Sequence, residues 1–173
     1  VLETVHAAKE AVETDVIINL PVMKVHYATG ITLALKNLKG LLVGDDKKHF
    51  HDIGLDKAIC DLNRVIRPAL TLVDATRAME GMGPHGGEII EPGYLIGGKE
   101  SWAVDCMGAE LMGFAPEEIG HLAIQLRSIG IDRSKAQKID VRGENPETLR
   151  RRFRRAEVKE ILPPSFSVEA KGG

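Results

Sequence analysis

The chain has 173 residues, 43% hydrophobic and 28% charged, with a formal net charge of −2. Length and balance fit a soluble globular domain with one substantial core, and the near-neutral charge excludes bulk attraction to nucleic acid or an anionic membrane. No apolar run of about 18 residues and no signal-peptide pattern occurs, so the expected compartment is the cytoplasm.

Leu2, Val5, Ala8 and Val12 recur near the helical period and predict an opening helix. The chain starts at Val1 inside that pattern, which reads as a fragment of a longer protein. Asp15 precedes VIINL, a β-branched run expected as a buried strand and ended by Pro21. Thr29 is the expected N-cap of a helix over Ile31 to Leu42, which sets Lys36 and Lys39 about one turn apart. Asp45 to Asp52, DDKKHFHD, reads as a polar loop with two histidines, and Leu55 to Ile66 as an amphipathic helix stopped before Pro68.

ALTLVDA is expected to be a second buried strand. Asp74 to Glu91 reads as a long loop with Gly81, Gly83, Gly86 and Gly87 around Pro84 and His85, a type of segment that more often carries function than not. A strand over Tyr94 to Gly97, helices over Ser101 to Met112 and Pro116 to Ser128, and a short strand at Lys138 to Val141 complete an α/β domain over residues 1–145. Residues 146–173 read as a basic helix around RRRFRR, offering a solvated face or a subunit contact, followed by a loose tail.

Alternating strands and helices predict an α/β fold with a mainly parallel sheet covered by helices on both faces. Ligands then collect beyond the carboxyl ends of the strands. Between Lys24 and His51 stand five lysines and three histidines against Asp45 and Asp46, a local positive field suited to a carboxylate or phosphate. His26 and Lys36 are the candidate catalytic pair, because histidine moves protons near neutral pH and a lysine of lowered pKa holds an anion or forms an adduct. Lys24, Lys39, Asp74, Glu80, Gly86 and Gly87 are candidates for binding an anion or cofactor. The competing readings are surface solubilisers for the lysines and a tight structural turn for Gly86 and Gly87.

His49 and His51, two apart, are candidate metal ligands if their loop is extended. Cys60 and Cys106 lack CxxC spacing and read as buried apolar side chains, so no iron–sulfur cluster is expected to be held by this chain alone. Asp105 reads as a buried polar anchor.

The segments DVIINLPVMKVHYATGITLALKNLKG, DLNRVIRPALTLVDATRAMEGMGPHGGE and GGKESWAVDCMGAELMG, spanning Asp15 to Gly113, resemble the DUF362 family in order and spacing. That resemblance implies an α/β domain often associated with ferredoxin-like iron–sulfur modules and redox metabolism, its activity not established. HYATGITLALK bears a more distant likeness to the nickel-pincer lactate racemase family. Carried across, that likeness implies His26 as acid/base, Lys36 as cofactor tether and His49 or His51 as metal ligand. Leu33 and Leu35 depart from its glycine-rich pattern, and the histidine usually supplied by that family's first half is missing.

Two functions are expected to compete: an enzyme acting on a small anionic ligand through His26 and Lys36, with a metal or metallocofactor, and an accessory module docking a ferredoxin-type partner through its lysines.

Overall fold

The computed structural model describes residues 4–132 and 139–157. Its sheet is organised by one long strand. β1 (Ile18–Asn19) and β2 (Val22–His26) are two parts of one extended run, interrupted at Pro21, whose ring removes a backbone donor. Both pair parallel to β4 (Leu70–Glu80), with Ile18 opposite Leu70 and Val22 opposite Asp74, and the register shifts before Lys24 meets Met79. β3 (Gly30–Thr32) folds back antiparallel on β2. On the other side of β4, β5 (Glu88–Ile90) and β6 (Tyr94–Gly98) pair antiparallel with its later and earlier halves. The α/β class therefore holds, and its parallel pairs form the centre of a mixed sheet.

Burial alternates along β4: Thr71, Val73 and Ala75 are buried, whereas Leu72 and Asp74 are only partly covered. Val73 and Ala75 join Met23 and Val25 in a core with Val104, Ala109, Met112 and Leu122. Those last four come from α5 (Ser101–Leu111), its C-terminal end and α6 (Gly120–Ser128). α4 (Leu55–Val65) adds Ile59 to this core and Leu62 to a second cluster around Phe50. On the opposite face of the strands Ile18, Leu20, Val22 and Leu95 are exposed.

Several elements differ from the sequence reading. Among the described residues the opening helix is only α1 (Lys9–Glu13). The helix expected over Ile31 to Leu42 is divided into β3, α2 (Ala34–Asn37) and a 3-10 turn over Leu38–Leu41, because Ile31 and Thr32 are taken up by pairing with β2. The polar loop DDKKHFHD is α3 (Asp46–Asp52), anchored by fully buried Phe50 and started by Asp46, a favourable charge at a helix N-terminus. The long glycine loop is shortened at both ends, since β4 runs on to Glu80 and β5 begins at Glu88. Ile139 to Val141 form no strand, and Lys138 lies outside the described residues.

The arginine run is not a helix. After one turn of helix, α7 (Pro146–Leu149), capped by the Asn145 side chain, residues Arg150 to Glu157 are extended. Backbone bonds from Arg151 N to Leu111 O (2.8 Å), Phe153 N to Met112 O (3.0 Å) and Gly81 N to Arg154 O (2.8 Å) fasten the segment across the body. Phe153 is 2% exposed in the core, while Arg154 reaches Glu88 at 2.7 Å and Arg155 reaches Glu118 at 2.6 Å. The tail from Pro163 onward lies outside the described residues.

This strap joins the β4–β5 turn to the end of α5 through a single buried ring. Phe153→Ala should lower unfolding free energy by about 3–5 kcal/mol. Arg154→Ala, which loses an exposed ion pair, should cost about 1 kcal/mol or less. Urea denaturation of the two variants tests the difference, and equal losses would place the strap's stability in its charges.

Candidate functional site

His26 ends β2 and is 5% exposed. Its Nδ1 accepts the Ala28 N–H at 3.1 Å, which places the proton of the neutral ring on Nε2, and the ring stacks on Tyr27 at 5.0 Å. Burial, reinforced by the charges of Lys36, His51, Lys39 and His121, lowers its pKa to about 4. At neutral pH His26 is thus an uncharged donor through Nε2, surrounded by cations.

Lys36 stands on α2, a four-residue helix too short to persist alone. Buried polar side chains hold it from three sides. Asp105 accepts the Ala34 N–H at 2.7 Å and the Leu35 N–H at 3.1 Å. Asn19 Nδ2 donates to Ala34 O at 2.9 Å and Asn63 Nδ2 to Leu35 O at 2.9 Å, while Asn37 Nδ2 donates to Asn19 Oδ1 at 2.7 Å. Asp105 is fully buried, and that burial pushes its pKa up to about 6 against the opposing pull of His121 and the two N–H groups. Asp105 is an anchor, as its sequence context suggested. Asn19 and Asn63 were missed, since a single asparagine in an apolar run carries no sign of which backbone it will meet.

Burial, then the charges of Lys39 and Lys24, bring Lys36 down to about 8. Lys39, on the following 3-10 turn, donates from Nζ to His51 Nε2 at 2.8 Å, and both groups are lowered, first by burial and then by neighbouring cations. None of Lys24, Lys36 and Lys39 has a carboxylate partner among the described residues. His26, Lys36, Lys39 and His51 therefore share one neighbourhood. His121, also missed in the sequence, lies fully buried beside it, its Nδ1 3.3 Å from Asp56 Oδ1 and its Nε2 without a partner.

The second predicted loop does not bring its carboxylates to these cations. Asp74 accepts from Thr76 N (2.8 Å) and Thr76 Oγ1 (2.6 Å), and these bonds hold its pKa below the usual carboxylate value. Glu80 is engaged by the strap, accepting the Arg154 N–H at 3.0 Å. Gly86 donates its N–H to Met82 O at 3.1 Å within the turn, and a Cβ on Gly87 would strike the Glu80 carbonyl. Both glycines thus serve tight backbone packing. The turn does touch the site region through its backbone: Tyr27 N donates to Gly83 O at 3.1 Å.

The expected histidine pair sits on α3, where residues two apart do not face each other. His51 is bonded to Lys39, and the His49 side chain lies outside the described residues. Among the described residues no three His, Cys, Asp or Glu side chains come together as a metal-binding group. Cys60 and Cys106 are buried, and burial pushes both thiols up to about 12, leaving them unreactive at neutral pH.

A family model described as "Domain of unknown function (DUF362)" matches residues 1–110, a span that holds every strand among the described residues and all of the cation cluster. The chain belongs to the DUF362 family. It is also 32% identical over 136 residues to a thylakoid-associated protein of Synechocystis sp., across 75% of this chain and 42% of that protein. The chain thus spans under half the length of this curated relative. No solved structure matches it. No helix among the described residues is long and apolar enough to cross a membrane.

Two measurements follow for this DUF362 chain. The His26 ring resonance should titrate near 4 rather than 6.5. Because the folded pKa lies below the unfolded one, the unfolded state binds more protons between these values. The stability that His26 contributes is then complete above 6.5 and is lost as pH falls towards 4. His26→Gln should flatten that part of the stability–pH profile, and an unchanged slope would remove His26 from it.

Asp105→Asn leaves an amide where two N–H groups need an acceptor, and should destabilise the fold by about 1–3 kcal/mol. With its pKa at about 8, Lys36 should be acylated in preference to ordinary lysines at pH 8, and Asp105→Asn should abolish that preference. Retained selectivity would show that α2 stands without its anchor.

Proposed function

We propose that this DUF362 domain binds a small anionic molecule at Lys24, Lys36 and Lys39, and that His26 and Lys36 act on it as an enzyme's proton-transfer and carbonyl- or cofactor-holding groups. One observation carries the reading: partly buried cations gathered around His26 with no carboxylate partner among the described residues. Such a group is electrostatically costly by itself, and an anion relieves the cost.

The division of labour follows from protonation. Neutral His26 presents an N–H donor from Nε2, while Lys36, with its pKa at about 8, keeps roughly a tenth of its population as free amine at pH 7. A bound anion favours the ammonium, raising the Lys36 pKa and taking up protons. Lys39, oriented by His51, supplies a fixed positive charge. A metallocofactor tethered through Lys36 belongs to the same proposal and needs metal ligands beyond His26 and His51.

Metal analysis and intact mass spectrometry of natively purified protein test the cofactor, and proton NMR titration with inorganic phosphate and small carboxylates tests the anion. The expected outcome is an adduct on Lys36, or saturable shifts at His26 that Lys36→Ala and Lys39→Ala weaken about tenfold. Absence of adduct, metal and saturable shift together would sink the reading.

Exposed Lys47 and Lys48 on α3 favour a second reading, a docking face for an acidic ferredoxin-type partner. Charge reversal at these lysines should then weaken capture in a salt-dependent way, while His26→Gln leaves capture unchanged.

A further inference from the structure

The sheet has a second face, turned away from α5 and α6. Asn19 and Thr71 are register partners and both are buried, so Ile18 and Leu70, which pair beside them, point to the other side. Val22 pairs with Asp74 at the same offset, which sets Leu20 next to Leu72 on that side. Across β4, Leu72 pairs with Gly97 and Asp74 with Leu95. The register thus assembles Ile18, Leu20, Val22, Leu70, Leu72 and Leu95 into one aliphatic patch beside the Asp74 carboxylate.

Except for Leu72, these aliphatic residues are between 38% and 64% exposed. Parallel strand pairs are normally covered on both faces. This patch leaves on the order of 500 Å2 of aliphatic surface open, near the upper limit for a protein that works alone. Two such faces packed together bury about 1,000 Å2, the least that a specific protein–protein contact needs.

The shape of the patch favours a copy of itself. Leu20 projects on one side of Leu72, whereas exposed Gly97, on the other side, carries no side chain and leaves a hollow. A two-fold axis over Leu72, parallel to the strands, sets the Leu20 of each copy in the Gly97 hollow of the other. Asp74 disfavours other occupants. Its carboxylate accepts from Thr76 N and Oγ1, which keeps it ionised, and it repels an anionic lipid surface or an acidic protein. We propose that the chain associates as a two-fold dimer through this sheet face, forming a sandwich of two copies.

Sedimentation equilibrium of the 173-residue chain across micromolar concentrations tests it. The mass should rise to twice 18.9 kDa and persist at high salt, because the contact is apolar. Leu20→Lys and Leu95→Lys should each return the chain to 18.9 kDa, and Leu20→Ser should raise the dimer dissociation constant about tenfold. Both side chains are exposed in the single chain, so these variants keep the fold, which circular dichroism checks. Val65→Lys, at an exposed aliphatic position on α4, should leave the mass unchanged. Asp74→Asn should tighten the dimer, since the two carboxylates lie on the axis. A monomer throughout the range, or a dimer indifferent to Leu20 and Leu95, would overturn the proposal. Monomers that bind phosphatidylglycerol vesicles through Leu20 and Leu95 would overturn it too, by making the patch a lipid-docking face.

Discussion

The Asp105 carboxylate on the backbone of Ala34 and Leu35 is the contact on which the site depends. β3 ends at Thr32, and the chain must turn at once into a helix of four residues that cannot offset its own nucleation cost. A carboxylate from α5 supplies the acceptor that a local N-cap would otherwise provide. Gly108, one turn further along α5, leaves room for Leu33, since a Cβ there would stand 2.5 Å from Leu33 Cδ1. The acid and the glycine thus seat the segment from Leu33 to Leu35, and the direction of Lys36 follows from that seat. Burying an acid to do this is unfavourable, as its pKa near 6 records, and two N–H bonds and His121 offset the cost.

The neighbourhood built on that seat gathers Lys24, Lys36 and Lys39, which have no carboxylate partner among the described residues. Lys36 at about 8 and His26 at about 4 are displaced in the same direction for the same reasons, loss of water and nearby positive charge. A purely structural cluster of lysines would be expected to extend into solvent, where screening removes the repulsion. Here α2 and the 3-10 turn keep two of them partly covered, and His51 fixes the head of Lys39. The arrangement concentrates positive potential at one place at a cost in fold stability, and that cost is the support for the proposed anion site.

Much of the frame was legible because it obeys local rules. ALTLVDA announces a strand, buried on alternate residues, and α4 and α5 follow from apolar spacing, whereas VIINL, expected as a buried strand, forms only the short β1 and leaves Val16, Ile18 and Leu20 exposed. The misread parts depend on distant partners. DDKKHFHD contains one large apolar residue, Phe50, and becomes helical because that ring is buried. β4 continues through Arg77 and Glu80 because β5 and the strap lie alongside it, which polar composition does not reveal. His26 and Lys36 were readable as residue types and spacing, and Lys39 as their neighbour. The carboxylates of the supposed partner loop were not, because Asp74 is satisfied two residues away and Glu80 by an arginine far along the chain.

α2 also stands between the cation cluster and a cavity that Leu35 helps to line. Lys36 belongs to the cation cluster, while Leu35, the residue before it, forms part of the wall of the cavity beside Arg67 and Gln125. Leu35 is held at both backbone ends, its N–H by Asp105 and its carbonyl by Asn63, and Asn63 also bonds Ile59 O at 2.8 Å within α4. The helix therefore cannot shift towards one region without breaking a buried polar contact shared with the other. Each such contact, once orphaned, costs on the order of 1–3 kcal/mol. The anchors that orient Lys36 thus also seat Leu35, so the same buried polar contacts fix both sides of α2.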